Sequence, residues 1–219
     1  MGIDIQKGKG SLVILSGPSG VGKGTIGKRM LERHSDMCFS VSATTRAIRE
    51  GEEEGVNYYY KTVEQFEEMI KNNEFLEYMQ VFGKNYYGTP RAYVEEKLNS
   101  GMSVLLDIDV QGAMVVKKNY PDAILIFIAP PSLEELHRRL VDRGTETAEA
   151  IERRFAQAKT EFTYVDKYDY VIVNDDLAVA VEDVESILRS KELSSDHYKS
   201  AIYEILNCEA ASDYSDEDR

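Results

Sequence analysis

The sequence predicts an α/β fold: a doubly wound, mainly parallel sheet built around a glycine-rich loop, with an α+β lobe and a smaller insertion added to it. Three observations carry this expectation. A short apolar run, Ser11–Ser16, leads directly into the glycine-rich stretch Gly17-Pro18-Ser19-Gly20-Val21-Gly22-Lys23-Gly24-Thr25. Mostly apolar runs recur at Met102–Ile108, Ala123–Ile128 and Asp169–Val173, with helical periodicity between them. Buried strands alternating with helices are the pattern of a parallel sheet covered on both faces. The third observation is a break in that alternation. Residues 38–97 are rich in tyrosine and glutamate and have the texture of a separate, smaller unit.

In chain order, Ser11–Ser16 reads as the first buried strand. A helix follows over about 22–34, with Ile26, Met30 and Leu31 on one side. The inserted stretch offers strands at Phe39–Ala43 and Phe75–Phe82 around one helix, Val63–Asn72. Beyond it, helices are expected at roughly 110–119, 132–143, 147–165 and 177–191, with a short insertion at Arg143–Thr147. Residues 194–219 read as a C-terminal extension, a short helix over about 196–207 and then an acidic tail. The expected division is a core of residues 1–37 and 98–193, a lobe of 38–97 and the extension.

Bulk properties narrow the function classes. A formal net charge of −13 over 219 residues argues against a nucleic-acid or anionic-membrane binder. It does not argue against a nucleotide substrate, because a few local cations can dominate a small pocket. The longest apolar run, Ala123–Pro131, is half of what a membrane helix needs, about 18 residues. The first ten residues lack the apolar stretch of a signal peptide, so a cytoplasmic protein is expected. Cys38 and Cys208 show no metal spacing and are expected as free thiols. The oligomeric state is left open.

The pattern Gly17-x-x-x-x-Gly22-Lys23, between a predicted strand and a predicted helix, is specific for triphosphate binding. Consecutive backbone N–H groups wrap the β-phosphate, the helix N-terminus adds partial positive charge, and Lys23 reaches the β- and γ-phosphates. One departure matters. Ser or Thr usually follows the lysine to ligate Mg²⁺, but here that position is Gly24 and the hydroxyl comes at Thr25. The loop identifies a phosphoryl donor and not the acceptor.

Other segments suggest an acceptor site. Arg46 and Arg49 lie three residues apart beside the hydroxyls of Ser42, Thr44 and Thr45. Two guanidinium forks grip a monophosphate bidentately, as lysine cannot. Tyr58-Tyr59-Tyr60 and Tyr86-Tyr87 read first as half-buried packing residues, though phenolic O–H groups can also donate to a phosphate. Glu77 sits among apolar residues. Asp107 and Asp109 end a buried strand, at the carboxyl edge where parallel sheets bind ligands.

Together these segments resemble the guanylate kinase family. The stretches are GPSGVGKGT (17–25), SATTR (42–46), GVNYYY (55–60), NNEFLEY (72–78), NYYGT (85–89), LDIDVQG (106–112), RGTET (143–147) and VIVNDDL (171–177). The resemblance spans about residues 11–191. Ile48 departs from it, standing where the family usually has proline. The resemblance implies that residues 38–97 are a GMP-binding lobe and that about 139–155 form a helical lid. It implies ATP as donor, with Mg²⁺, and transfer of its γ-phosphoryl group to GMP, giving ADP and GDP. Gly17 through Thr25, with Asn174 and Asp175 near the adenine, would bind ATP. Arg46, Arg49, Tyr58 and Tyr87 would hold the GMP phosphate. Ser42, Glu77, Thr89 and Asp109 would read the guanine edge, with Glu52 nearby. Lys23, Arg46, Arg139, Arg143 and Arg154 would stabilise the transferring group. Thr25 and Asp107, directly or through water, would lie nearest the metal. Two rivals remain at this stage: a kinase for another nucleoside monophosphate, and a catalytically inactive relative that grips phosphopeptides with the same arginines.

Overall fold

The computed structural model describes residues 9–81, 83–142 and 147–194. The expected 196–207 helix, the acidic tail, Cys208 and Arg143 lie outside the described residues. Five strands make an all-parallel sheet: β1 (Leu12–Ser16), β2 (Met37–Phe39), β7 (Ser103–Asp107), β8 (Ile124–Ala129) and β9 (Tyr170–Val173), in the order β2-β7-β1-β8-β9. Every residue of β1 and β8 is buried, which explains why both read as unbroken apolar runs rather than alternating ones. The two-residue period of β1 nevertheless decides which core each side chain enters. Val13 and Leu15 pack with Ile26 and Met30 of α1 (Lys23–Arg33) and Val181 and Val184 of α7 (Leu177–Glu192). Leu12 and Ile14 face the opposite side, against Val94 and Leu98 of α3 (Arg91–Asn99) and Ala113 and Val116 of α4 (Val110–Asn119). Helices cover both faces, as a doubly wound sheet requires.

A second sheet carries the inserted lobe. Its order is β4-β3-β6-β5, from β3 (Ala43–Thr44), β4 (Tyr59–Tyr60), β5 (Phe75–Val81) and β6 (Asn85–Pro90). Only the β3–β4 pairing is parallel. Helix α2 (Val63–Lys71) lies against it through the fully buried Phe66, which stacks on Phe75 and Tyr86 at 4.3 and 5.2 Å between ring centroids. The helix starts at a capping box in which Gln65 N donates to Thr62 Oγ1 and Thr62 N donates to Gln65 Oε1. Such a cap is worth about 1 kcal/mol.

Three expectations change. The single strand foreseen over Phe39–Ala43 is two strands in different sheets. Phe39 ends β2, Ser40 N still donates to Leu105 O, and the chain has left the core sheet by Ala43. Composition could not show this, because both pieces are short and extended. Helix α3 was not foreseen: only Val94 and Leu98 mark its buried face, and the segment stands among polar residues. The helix expected over 147–165 ends as α6 (Ala148–Glu161) and tightens into a 3₁₀ turn over Phe162–Lys167, whose Phe162, Tyr164 and Val165 pack beside Phe127 of β8. Among the described residues, no helix is long and apolar enough to cross a membrane.

Candidate active site

The carboxyl ends of the core strands point at the phosphate loop. Gly17, Gly20 and Gly22 all adopt positive φ, at 131°, 96° and 95°. Two of them also permit close approach. A Cβ on Gly17 would meet Ile128 O at 2.4 Å, and one on Gly22 would meet Asn174 Nδ2 at 2.4 Å. Gly22 is the N-cap of α1, so the helix opens at the loop and its first amides face outward from it. Lys23 Nζ donates to Gly17 O at 2.7 Å and to Pro18 O at 3.2 Å, which folds the ammonium over the loop.

Helix α5 (Leu133–Asp142) seals one flank of the loop. Leu136 and Leu140 lie 3.1–3.3 Å from the place a Cβ on Gly20 would occupy. Arg139 Nε pairs with Glu135 at 2.7 Å, and its Nη2 donates to Asn174 O at 3.0 Å. From α6, Arg154 Nη1 donates to Ser19 Oγ at 2.8 Å. Of the two helices that flank the short insertion, α6 thus reaches the loop directly through Arg154, and α5 through Arg139 bonded to Asn174. Arg143, expected with them, is not among the described residues. Asn174, just after β9, is 6% exposed and donates from Nδ2 to Val21 O at 2.7 Å.

The acceptor candidates form two clusters. In the first, Arg46 makes a fork-to-fork pair with Glu52, Nη1 to Oε2 at 2.9 Å and Nη2 to Oε1 at 2.7 Å. Its guanidinium lies 5.3 Å from the Tyr58 ring centroid and 5.9 Å from that of Tyr60. Tyr60 Oη and Arg49 N donate to the same Oε2, each at 2.8 Å. The Arg46 guanidinium, chiefly, holds the Glu52 carboxyl down at about 2, with the Arg49 amide and Tyr60 hydroxyl assisting. Tyr87 joins through an edge contact with Tyr58, 5.9 Å between centroids. Glu52, expected near the guanine readers, has its partners here instead. Tyr60 was not singled out in the sequence. The signal was present, since period two puts Tyr58 and Tyr60 on one face and leaves Tyr59 for the hydrophobic side with Phe66 and Phe75.

The second cluster is buried. Glu77 on β5 is 6% exposed, and Thr89 on β6, fully buried, donates Oγ1 to Glu77 Oε1 at 2.7 Å. Their strands pair in register at these two residues. Asp109 N-caps α4, accepting from Gly112 N at 2.8 Å, and Gly112 has no Cβ to fend off Glu77 Oε2, which would meet one at 3.4 Å. Burial pushes the Glu77 carboxyl up to about 7, against the Thr89 hydrogen bond that lowers it; the charge of Asp109 raises it further. Ser42 immediately precedes Ala43, whose β6 partner Gly88 immediately precedes Thr89.

Between the loop and these clusters lie groups that the sequence did not flag. Tyr168 donates its hydroxyl to the buried Ser16 Oγ at 2.8 Å, and Glu161 sits near enough to Lys23 and Asp109 to feel both charges. No motif marks either, because both reach the site from the 3₁₀ region far along the chain. Asp107 stands at the end of β7 with Oδ2 3.4 Å from the position of a Cβ on Gly24. Its crowded surroundings push its pKa up while Lys23 pulls it down. Thr25 is exposed on the first turn of α1. Among the described residues no group of three His, Cys, Asp or Glu is arranged to hold a metal.

Comparison with known proteins bears on the family of the whole chain. A family model described as guanylate kinase matches residues 9–191. The guanylate kinase of Oceanobacillus iheyensis is 50% identical over 200 residues, covering 91% of this chain and 97% of that protein. That of Clostridium tetani is 51% identical over 194 residues, covering 89% and 92%. The crystal structure of guanylate kinase from Anaplasma phagocytophilum superposes with a TM-score of 0.67 at 38% identity, over 86% of this chain and 89% of that one.

Proposed function

The chain belongs to the guanylate kinase family, and from that premise we propose how its residues divide the transfer of a phosphoryl group from ATP to GMP. It is an ATP:GMP phosphotransferase, a nucleoside monophosphate kinase giving ADP and GDP. Gly17 through Thr25 hold the ATP phosphates on backbone amides, with Lys23 on the β- and γ-oxygens and Asp175 toward the base. Arg46, Arg49, Tyr58 and Tyr87 hold the GMP phosphate, and Glu52 and Tyr60 keep Arg46 in place. Ser42, Thr89, Glu77 and Asp109 read guanine.

The observation that carries the acceptor assignment is the Glu77 carboxyl, buried beside the Thr89 hydroxyl and the Asp109 N-cap. Guanine presents N1–H and N2–H₂ donors beside the O6 acceptor, which suits a carboxylate flanked by hydroxyls. Adenine presents an acceptor at N1 and would set that buried carboxylate against a lone pair. Loss of such partners discriminates by about 10⁴-fold.

For the transfer itself, an oxygen of the GMP phosphate attacks the γ-phosphorus in line with the departing ADP oxygen. The phosphate is largely dianionic at neutral pH, with its second pKa near about 6, so no strong general base is needed. Negative charge spreading over the equatorial oxygens is met by Lys23, Arg139, Arg154 and Arg143. Closure of the arginine-bearing helices over the loop excludes water, the competing acceptor.

Mg²⁺ belongs to this reading. Of the residues present, Asp107 and Thr25 would hold it, directly or through water, alongside the substrate phosphates. When bound it would offset the negative charge of the donor phosphates. A cytoplasmic setting, where a free Cys38 thiol stays reduced, completes the proposal.

A panel of acceptors tests it. ADP formation with GMP should exceed that with AMP, UMP or dTMP by at least about two orders of magnitude. GMP performing no better than AMP would overturn the acceptor assignment.

A further inference from the structure

Asn174 stands where the end of β9, the arginine-bearing helix α5 and the phosphate loop meet. Its backbone N–H donates to Ala129 O at 2.8 Å and its backbone oxygen accepts from Arg139 Nη2 at 3.0 Å. Both main-chain groups are thereby held, and the side chain leaves the strand in a set direction. That side chain reaches Val21 O at 2.7 Å, across 153 positions of sequence, in buried surroundings. A carbonyl only accepts, so the amide nitrogen of Asn174 must be the atom that faces it.

The consequence lies in the peptide unit that Asn174 grips. The Val21 carbonyl and the Gly22 N–H belong to one planar trans unit and point in opposite directions. Holding the carbonyl toward Asn174 therefore aims the Gly22 N–H away from Asn174, out of the loop's supported side. Gly22 has φ 95° and caps α1, so its conformation sets where the helix amides begin. It must also be glycine for Asn174 to come this close, since a Cβ would stand 2.4 Å from Nδ2. A glycine-rich loop costs conformational entropy to hold in one shape, and a peptide unit without a partner can rotate.

We propose that Asn174 is a positioning residue of the donor site. Its side-chain amide locks the Val21–Gly22 peptide so that the loop amides are already aimed at the β-phosphate before ATP arrives. It acts on the triphosphate of any donor nucleotide and not on the adenine. The proposal rests on reading Gly17–Thr25 as the ATP phosphate loop.

The test compares ligands that share the phosphates but differ in the base. In Asn174→Ala, ADP and inorganic tripolyphosphate, titrated by calorimetry, should both weaken by about tenfold, as expected when a buried carbonyl loses its donor. GMP affinity should stay within about twofold, since no acceptor residue is touched; a fold that had merely loosened would weaken both sites. The isosteric Asn174→Asp, which has no donor to offer Val21 O, should reproduce the pattern and serves if the alanine variant fails to fold. Weakened ADP with unchanged tripolyphosphate would mean that Asn174 reads the base, overturning the proposal. Unchanged affinity for both would overturn it as well. Failure of the wild-type protein to bind tripolyphosphate at all would instead refute the underlying reading of the loop.

Discussion

The donor and acceptor halves of this site are built from different materials. The donor half is backbone: nine consecutive residues, three glycines at positive φ, the start of one helix, and a single lysine folded over them. The acceptor half is side chains, drawn from the Ser42–Glu52 stretch, three strands of the second sheet and the N-terminus of α4. Backbone recognition needs only local conformation, so one contiguous stretch suffices and any triphosphate fits it. Side-chain recognition needs groups placed against each other across about 70 positions of sequence, and in return it can tell one base from another. The two halves should therefore fail in different ways.

The sharpest separation should come from Lys23→Met. It removes the one side-chain cation of the donor loop, and turnover should fall by about 10³-fold or more while GMP binding, measured by calorimetry, survives. Near-normal turnover would show that the lysine does not bear on the transferring group. Next in size is Glu77→Gln. It should lower kcat/KM for GMP by about 10²-fold and shrink the preference for GMP over AMP, with KM for ATP little changed. An unchanged ratio would remove Glu77 from guanine reading. Arg46→Lys keeps the charge but loses the fork-to-fork pair with Glu52 and the stack between Tyr58 and Tyr60. A loss of roughly tenfold in kcat/KM for GMP is expected, and full activity would show that a point charge serves as well.

The smallest effect is one of stability. The Glu77 carboxyl stands at about 7 in the folded chain against 4.5 for the free group, chiefly because it is buried. The folded state thus holds a proton that the unfolded chain has released, and stability falls as pH rises from about 4.5 to about 7, then levels. The full span is on the order of 3 kcal/mol. Glu77→Gln should raise Tm over the wild type by more at pH 7.5 than at pH 5, by thermal melts at both. An equal shift at the two values would show that the carboxyl does not titrate in that window.

The same contrast governs what could be read in advance. The core was legible because its signals are local. β1 and β8 are apolar throughout, and the helices over 110–119 and 177–191 carry their apolar periodicity in full. The lobe was legible mainly in composition. Its first expected strand proved to be two pieces in two sheets, since nothing in Phe39–Ala43 marks where hydrogen bonds to Leu105 end and those to the lobe begin. Helix α3 escaped notice because a two-residue apolar face, Val94 and Leu98, acquires meaning only once Leu12 and Ile14 lie beneath it.

By itself, then, the sequence determined the phosphate loop, the alternating strands and helices, and the kinds of residue able to grip a monophosphate and a guanine. Each follows from local stereochemistry or from the hydrogen-bonding inventory of a side chain. Only the tertiary structure decided where each carboxylate stands and what it pairs with. It put Glu52 against Arg46 and left Glu77 to be buried with Thr89, and it turned Asn174 into the loop. Those assignments depend on desolvation and on hydrogen-bond distances between segments remote in the chain, and neither quantity exists until the chain has folded.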